Sequence, residues 1–147
     1  MELKTCSEVI SFTRKLEEKN AAFYETFAKY HPQNSEVLLS MATENRKNIT
    51  QVERAYYSVI SDALEGCFVF CINPDKYSIP VQITEGEYFT QTLEKAIEME
   101  GIAKRYFTDA AEQSRALIAD VSRAFSIIAR KRDSRISTLK SMLDDQP

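Results

Sequence analysis

Apolar residues recur at spacings of three and four through four long stretches of the chain, the signature of helices with one face turned inward. The first stretch carries Val9, Leu16, Phe23 and Phe27; the second carries Leu38, Met41, Ile49, Val52, Tyr56 and Val59. The third carries Phe89, Leu93, Ala96, Ala103, Phe107 and Ala110, and the fourth Ile118, Val121, Phe125, Ile128, Leu139 and Leu143. Between the breaks set by glycine and proline, the residues are mostly good helix formers such as Ala, Glu, Lys, Leu and Met. The pattern predicts helices over 6–30, 35–65, 86–112 and 115–143. Asn34 or Ser35 is the expected N-cap of the second helix, Gly66 its stop, and Ser114 a cap for the fourth.

Short connections after the first and third helices predict two antiparallel hairpins. The link between them, 66–85, is long enough to travel the length of a bundle. The expected architecture is therefore all-α, a four-helix bundle forming one domain over 1–147. The link contains an unbroken apolar run, CFVFCI from Cys67 to Ile72, expected to pack on the bundle or to form a subunit contact.

Composition narrows the function classes. A chain of 147 residues with 44% hydrophobic and 28% charged residues is globular rather than disordered. A net charge of −3 gives no overall pull toward nucleic acid or an anionic membrane. No run is long and apolar enough to span a bilayer, and the first twenty residues lack the apolar centre of a signal peptide. Cys6, Cys67 and Cys71 form no CxxC pair, which suits reduced, mostly buried thiols in a cytoplasmic protein. With His31 the sole histidine, expected at the surface beside Pro32, a zinc site around Cys67 and Cys71 lacks ligands. The fourth helix has a basic excess that includes RKR at 130–132. Only Arg130 and Lys131 point clearly outward, and aromatic residues are not interleaved with them as a single-strand binder would need.

More informative are the polar residues that interrupt the apolar stripes. Glu17 lies beside Leu16 on the first helix, two turns before Tyr24. Asn45 and Asn48 fall between Ala42 and Ile49, Glu100 falls between Ala96 and Ala103, and Arg132 and Arg135 fall between Ile128 and Leu139. Each helix thus sends one or two polar side chains inward near its middle. Unpaired, such groups cost several kcal/mol each, so they are expected to meet. Gly101, next to Glu100, is expected to admit close helix approach.

These residues carry a family resemblance. LEEKNAAFYETFA (16–28) and IEMEGIAKRYF (97–107) are similar to the ligand helices of the ferritin-like superfamily, particularly the rubrerythrin-type di-iron carboxylate proteins. There, helices one and three carry Glu followed seven residues later by Tyr, and helices two and four carry Glu-x-x-His. The resemblance places Glu17 and Glu100 at ligand positions, with Tyr24 and Phe107 one layer out, Phe107 standing where the family has Tyr. It implies a ferritin-like fold and a homodimer. The other ligands have changed: Asn45 and Asn48 replace Glu and His in ATENRKN (42–48), and Arg132 and Arg135 replace them in ARKRDSR (129–135). Arginine has no lone pair to offer a cation.

The expected function is accordingly non-catalytic, a structural or interaction protein whose di-iron centre has been lost and whose core holds no cofactor. In the metal layer's place, Glu17 and Glu100 are expected to bond to the arginines. Two other readings remain. One is an oxidoreductase or iron-binding protein with a di-iron or di-manganese site built on Glu17, Glu44, Glu100 and Asp133. The other is a scaffold that binds a partner or small ligand in its core.

Overall fold

The computed structural model describes residues 1–60, 67–78 and 82–147. Four long helices dominate: α1 (Cys6–Tyr30), α2 (Ser35–Val59), α3 (Phe89–Ser114) and α4 (Ala119–Asp144). The chain is mostly helical, in line with the all-α expectation.

The helix ends follow from local chemistry. At the start of α1, Thr5 Oγ1 accepts from the Glu8 backbone N–H at 3.1 Å, and the Glu8 carboxylate accepts from the Thr5 N–H at 3.0 Å. That reciprocal cap satisfies two N–H groups left over by the first turn. The helix stops at Tyr30 because His31 precedes Pro32 and is forced out of helical geometry, with φ −134° and ψ 72°. A single turn of 3₁₀-helix, Pro32–Asn34, then leads into α2.

Three boundaries differ from expectation. α2 ends at Val59, with Ile60 extended at ψ 136°; the rest of the expected span, 61–65, and the anticipated stop at Gly66 lie outside the described residues. α3 starts at Phe89 rather than 86, because Gly86 occupies a left-handed turn at φ +84°. Ser114 is the last residue of α3 and donates back to the Ala110 carbonyl at 2.7 Å; α4 begins after Ile118 without a side-chain cap.

α1 packs chiefly along α2, and α3 along α4, while α2 also meets α4. Contacts run in opposite senses along the members of each pair. Arg14 meets Glu53 and Glu25 meets Arg46; Lys104 meets Asp133 and Ser122 bonds the Ala111 carbonyl.

A small sheet was not anticipated. β1 (Leu3–Thr5) pairs antiparallel with β2 (Phe68–Ile72), Leu3 opposite Ile72 and Thr5 opposite Phe68. The apolar run is thus a strand whose successive residues face opposite ways. Phe70 and Ile72 enter the core and Cys71, on the other face, is exposed; Phe68 shares the side of Phe70 but, at the start of the strand, stays 75% exposed. Gln113 of α3 covers the outer edge at Cys71, accepting from its N–H at 2.8 Å and donating to its carbonyl at 3.3 Å. This corrects the expectation of mostly buried thiols: only Cys6 is buried, and Cys67 and Cys71 are exposed.

The core is divided. One apolar cluster gathers Val9 and Leu16 with Val52, Tyr56, Phe107, Phe125 and Ile128. The other gathers Phe23, Tyr24 and Phe27 with Leu38, Met41, Leu93, Met99 and Leu139. On every helix the residues between the two clusters include the polar ones singled out in the sequence.

Candidate functional site

Glu17, Asn45, Asn48, Glu100 and Arg132 are fully buried, and Arg135 is 5% exposed. Helical spacing explains why they meet. Glu17 follows the last apolar residue of one cluster on α1, and Asn45 and Asn48 lie one turn apart on α2, on the side facing α1. Arg132 and Arg135 likewise lie one turn apart on α4, facing α3.

Arg132 joins the two carboxylates. Its Nη1 donates to both oxygens of Glu100, at 2.5 and 2.8 Å, and its Nη2 donates to Glu17 Oε1. Arg135 Nη1 donates to Glu100 Oε1 at 3.0 Å and to Asn45 Oδ1 at 2.8 Å. Its Nη2 donates to the Met41 carbonyl at 3.2 Å and to Glu44 Oε1 at 2.9 Å. Asn48 donates to Glu17 Oε2 at 2.8 Å, and Asn45 more weakly to Oε1 at 3.4 Å. Two buried carboxylates therefore face two buried guanidiniums, and the layer carries no net charge before Glu44 is added at its edge.

Two aromatic rings cover the cations. The Arg132 guanidinium lies 5.7 Å from the centre of Phe107, and that of Arg135 lies 5.4 Å from the centre of Tyr24. The electron-rich ring face favours a cation there and shields it from water. Three buried polar atoms of the layer, Tyr24 Oη, Asn48 Oδ1 and Arg132 Nε, have no hydrogen-bond partner among the described residues.

Ionisation follows from burial and neighbours. Burial pushes the Glu100 carboxyl up to about 7, against the downward pull of Arg135. Arg132 donates to both its oxygens and adds to that pull. Burial, then the neighbouring Arg135, pushes Arg132 down. Guanidinium is basic enough to stay charged between two carboxylates. For Arg135, burial works downward, but Glu100, then Tyr24 and Glu44, hold it above its ordinary value. Burial, and then Glu100, keep the Tyr24 phenol protonated far above its usual range.

Other expected residues fall elsewhere. Asp133 sits on the surface beside Lys104, at 2.8 Å, and Glu44 keeps 41% of its side chain exposed while reaching Arg135. The structure thus does not gather Glu17, Glu44, Glu100 and Asp133 into one carboxylate set. A one-residue step turns a helical side chain by about 100°, which carries Asp133 away from the layer that holds Arg132. Among the described residues, no group of three or more His, Cys, Asp or Glu side chains is placed to hold a metal ion. The donor set at the layer does not suit a pair of cations either: both carboxylates accept from guanidiniums, and the remaining positions offer two amides.

His31 is not a surface residue as expected. It is half-buried, edge-on to Phe27 and Phe89 at 5.5 and 5.1 Å between centres, and its Nε2 is buried without a partner. Gly101 does not bring helices together, since a Cβ added there would meet nothing within 4 Å. Asn20 belongs to the site and was missed. It is 8% exposed, and its Oδ1 accepts from Arg132 Nη1 at 2.9 Å. Its position three residues after Glu17, on the same face of α1, was the available signal. The chain matches no protein-family model, no curated protein and no solved structure. No helix among the described residues is long and apolar enough to cross a membrane.

Proposed function

We propose that the chain is a ferritin-like bundle, two antiparallel hairpins joined by one long crossover, in which an internal ion-pair layer has replaced a di-iron centre. On this reading it is a non-catalytic structural or interaction protein, acts as a homodimer and needs no metal cofactor. One observation supports it above the others. Arg132, buried and central, donates to both Glu17 and Glu100, the two carboxylates that match ligand positions of the rubrerythrin-type proteins. A guanidinium there supplies the positive charge that bridging cations would supply, without open positions for oxygen or peroxide.

The test is elemental analysis of protein produced in medium supplemented with iron, manganese and zinc. The expected result is far less than one metal per chain after gel filtration. Roughly two metals per chain, the stoichiometry of a dinuclear centre, would overturn the proposal.

A further inference from the structure

A cleft of about 900 Å³ opens between α1 and α3, bounded on one side by Tyr77. Its size lies within the ~300–1,000 Å³ typical of small-molecule sites. Phe12, Leu16, Phe23, Met99 and Ile102 give it mainly apolar walls. Lys15 and Lys19, one helical turn apart on α1, stand at its mouth. The other charged residues of that mouth are engaged, Arg14 with Glu53 and Glu18 with Arg46. Among the described residues neither lysine has a carboxylate within ion-pair distance.

Of the uncharged polar residues that line it, Ser78 and Gln82 are exposed, whereas Asn20 is nine-tenths buried. Arg132 donates into its Oδ1 from the core side and so fixes the orientation of the amide. The Nδ2 donor is then turned to the cleft. It has no hydrogen-bond partner among the described residues, yet is not sealed in the core as Tyr24 Oη and Arg132 Nε are. A donor held in an apolar cleft calls for an acceptor, and a guanidinium bonded to the far end of the amide polarises that donor. Two unpaired lysines at the mouth add a preference for negative charge.

We infer that the α1–α3 cleft binds a long-chain monocarboxylate, its hydrocarbon chain along the apolar walls and its carboxylate received by Asn20, Lys15 and Lys19. The inference depends on the buried ion-pair layer only through Asn20. Metal content decides the proposed function, whereas carboxylate binding decides this, so the two can fail separately.

Calorimetric titration of the full chain with dodecanoate, dodecanol and dodecylammonium, each kept below its micelle threshold, tests it. Dodecanoate should saturate at one per chain with a negative heat-capacity change. Dodecanol, a neutral acceptor, should bind about tenfold more weakly because it forgoes the charge-assisted bonds to the lysines, and dodecylammonium more weakly still because it offers no acceptor and repels them. K15Q/K19Q, both substitutions at exposed positions, should weaken dodecanoate about tenfold and leave dodecanol unchanged. Asn20→Leu should weaken dodecanoate by a similar factor; if that variant does not fold, the double lysine variant decides alone. No saturable heat, equal binding of all three ligands, or unchanged dodecanoate affinity in K15Q/K19Q would overturn the assignment.

Discussion

Arg132 Nη1 lies 2.5 and 2.8 Å from the two carboxylate oxygens of Glu100, across the α3–α4 contact and with no exposure to solvent. A pair so deeply desolvated gains its strength from completeness, since each partner left alone is a buried, uncompensated charge.

Removing one side should therefore be severe. Arg132→Ala is expected to cost ~3–5 kcal/mol in urea unfolding. Arg130→Ala, on the exposed face of the same helix, should leave the transition midpoint essentially unchanged. Equal midpoints for the two variants would remove the distinction between inner and outer arginines. Replacing the group as a unit should behave differently. E17Q/E100L/R132M should come out nearer to the unsubstituted chain than Arg132→Ala does, because the one charge left in the layer, Arg135, keeps Glu44.

The two phenylalanines of β2 should part company. Phe70 is 4% exposed and belongs to the apolar core, so Phe70→Glu should unfold or severely destabilise the chain, as circular dichroism and melting would show. Phe68 is 75% exposed, so Phe68→Glu should fold normally. Sedimentation equilibrium then tests the homodimer: the unsubstituted chain should have twice the monomer mass. If β2 forms the contact, Phe68→Glu should have the monomer mass.

Stability should fall in alkali. Burial raises Cys6 to about 11 from 9.0, and burial, then Asp109, raises Tyr77 to about 12 from 10.0. Burial also holds Tyr24 and Tyr106 protonated. Above about pH 9 the unfolded chain sheds these protons first and so binds fewer than the folded chain. The stabilisation is complete below that pH and is lost as pH climbs through the folded values. Urea midpoints should drop progressively from pH 9 to pH 11; a flat profile over that range would contradict these shifts.

Restoring the family ligands should restore metal binding. N45E/N48H/R132E/R135H puts four carboxylates and two imidazoles in the layer, and cobalt(II) titration should then saturate near two ions per chain with visible d–d bands. The unsubstituted chain should show none.

The periodic stripes made the four helices and their polar interruptions legible, because burial on a helix leaves a 3.6-residue trace in hydropathy. Glu17, Glu100 and Arg132 could be read as inward because apolar neighbours flank each of them. Asn20 was not legible because it is a single amide beside Ala21 and Phe23, and one amide next to an apolar stripe leaves no hydropathy signal of its own. The strand at Phe68–Ile72 was opaque for another reason. Every residue in it is apolar, so alternation of burial leaves no alternation of hydropathy, and its partner Leu3–Thr5 is too short to show a period. The overlong reading of α2 has a similar source: ISDAL after Val59 continues in residues compatible with a helix, and no proline or glycine intervenes before Gly66. The helix nevertheless ends at Val59, where Ile60 turns extended.

The most direct test of the central claim is a double-mutant cycle on Arg132 and Glu100, using Arg132→Met, Glu100→Gln and the pair together. The account expects a coupling free energy of ~2–3 kcal/mol in urea unfolding: Glu17 loses Arg132 in both variants that lack it, so that cost cancels and the cycle isolates the Arg132–Glu100 pair. A coupling below ~0.5 kcal/mol, the scatter of independent sites, would mean the two side chains do not depend on each other, and the guanidinium could not be the counter-ion of the layer.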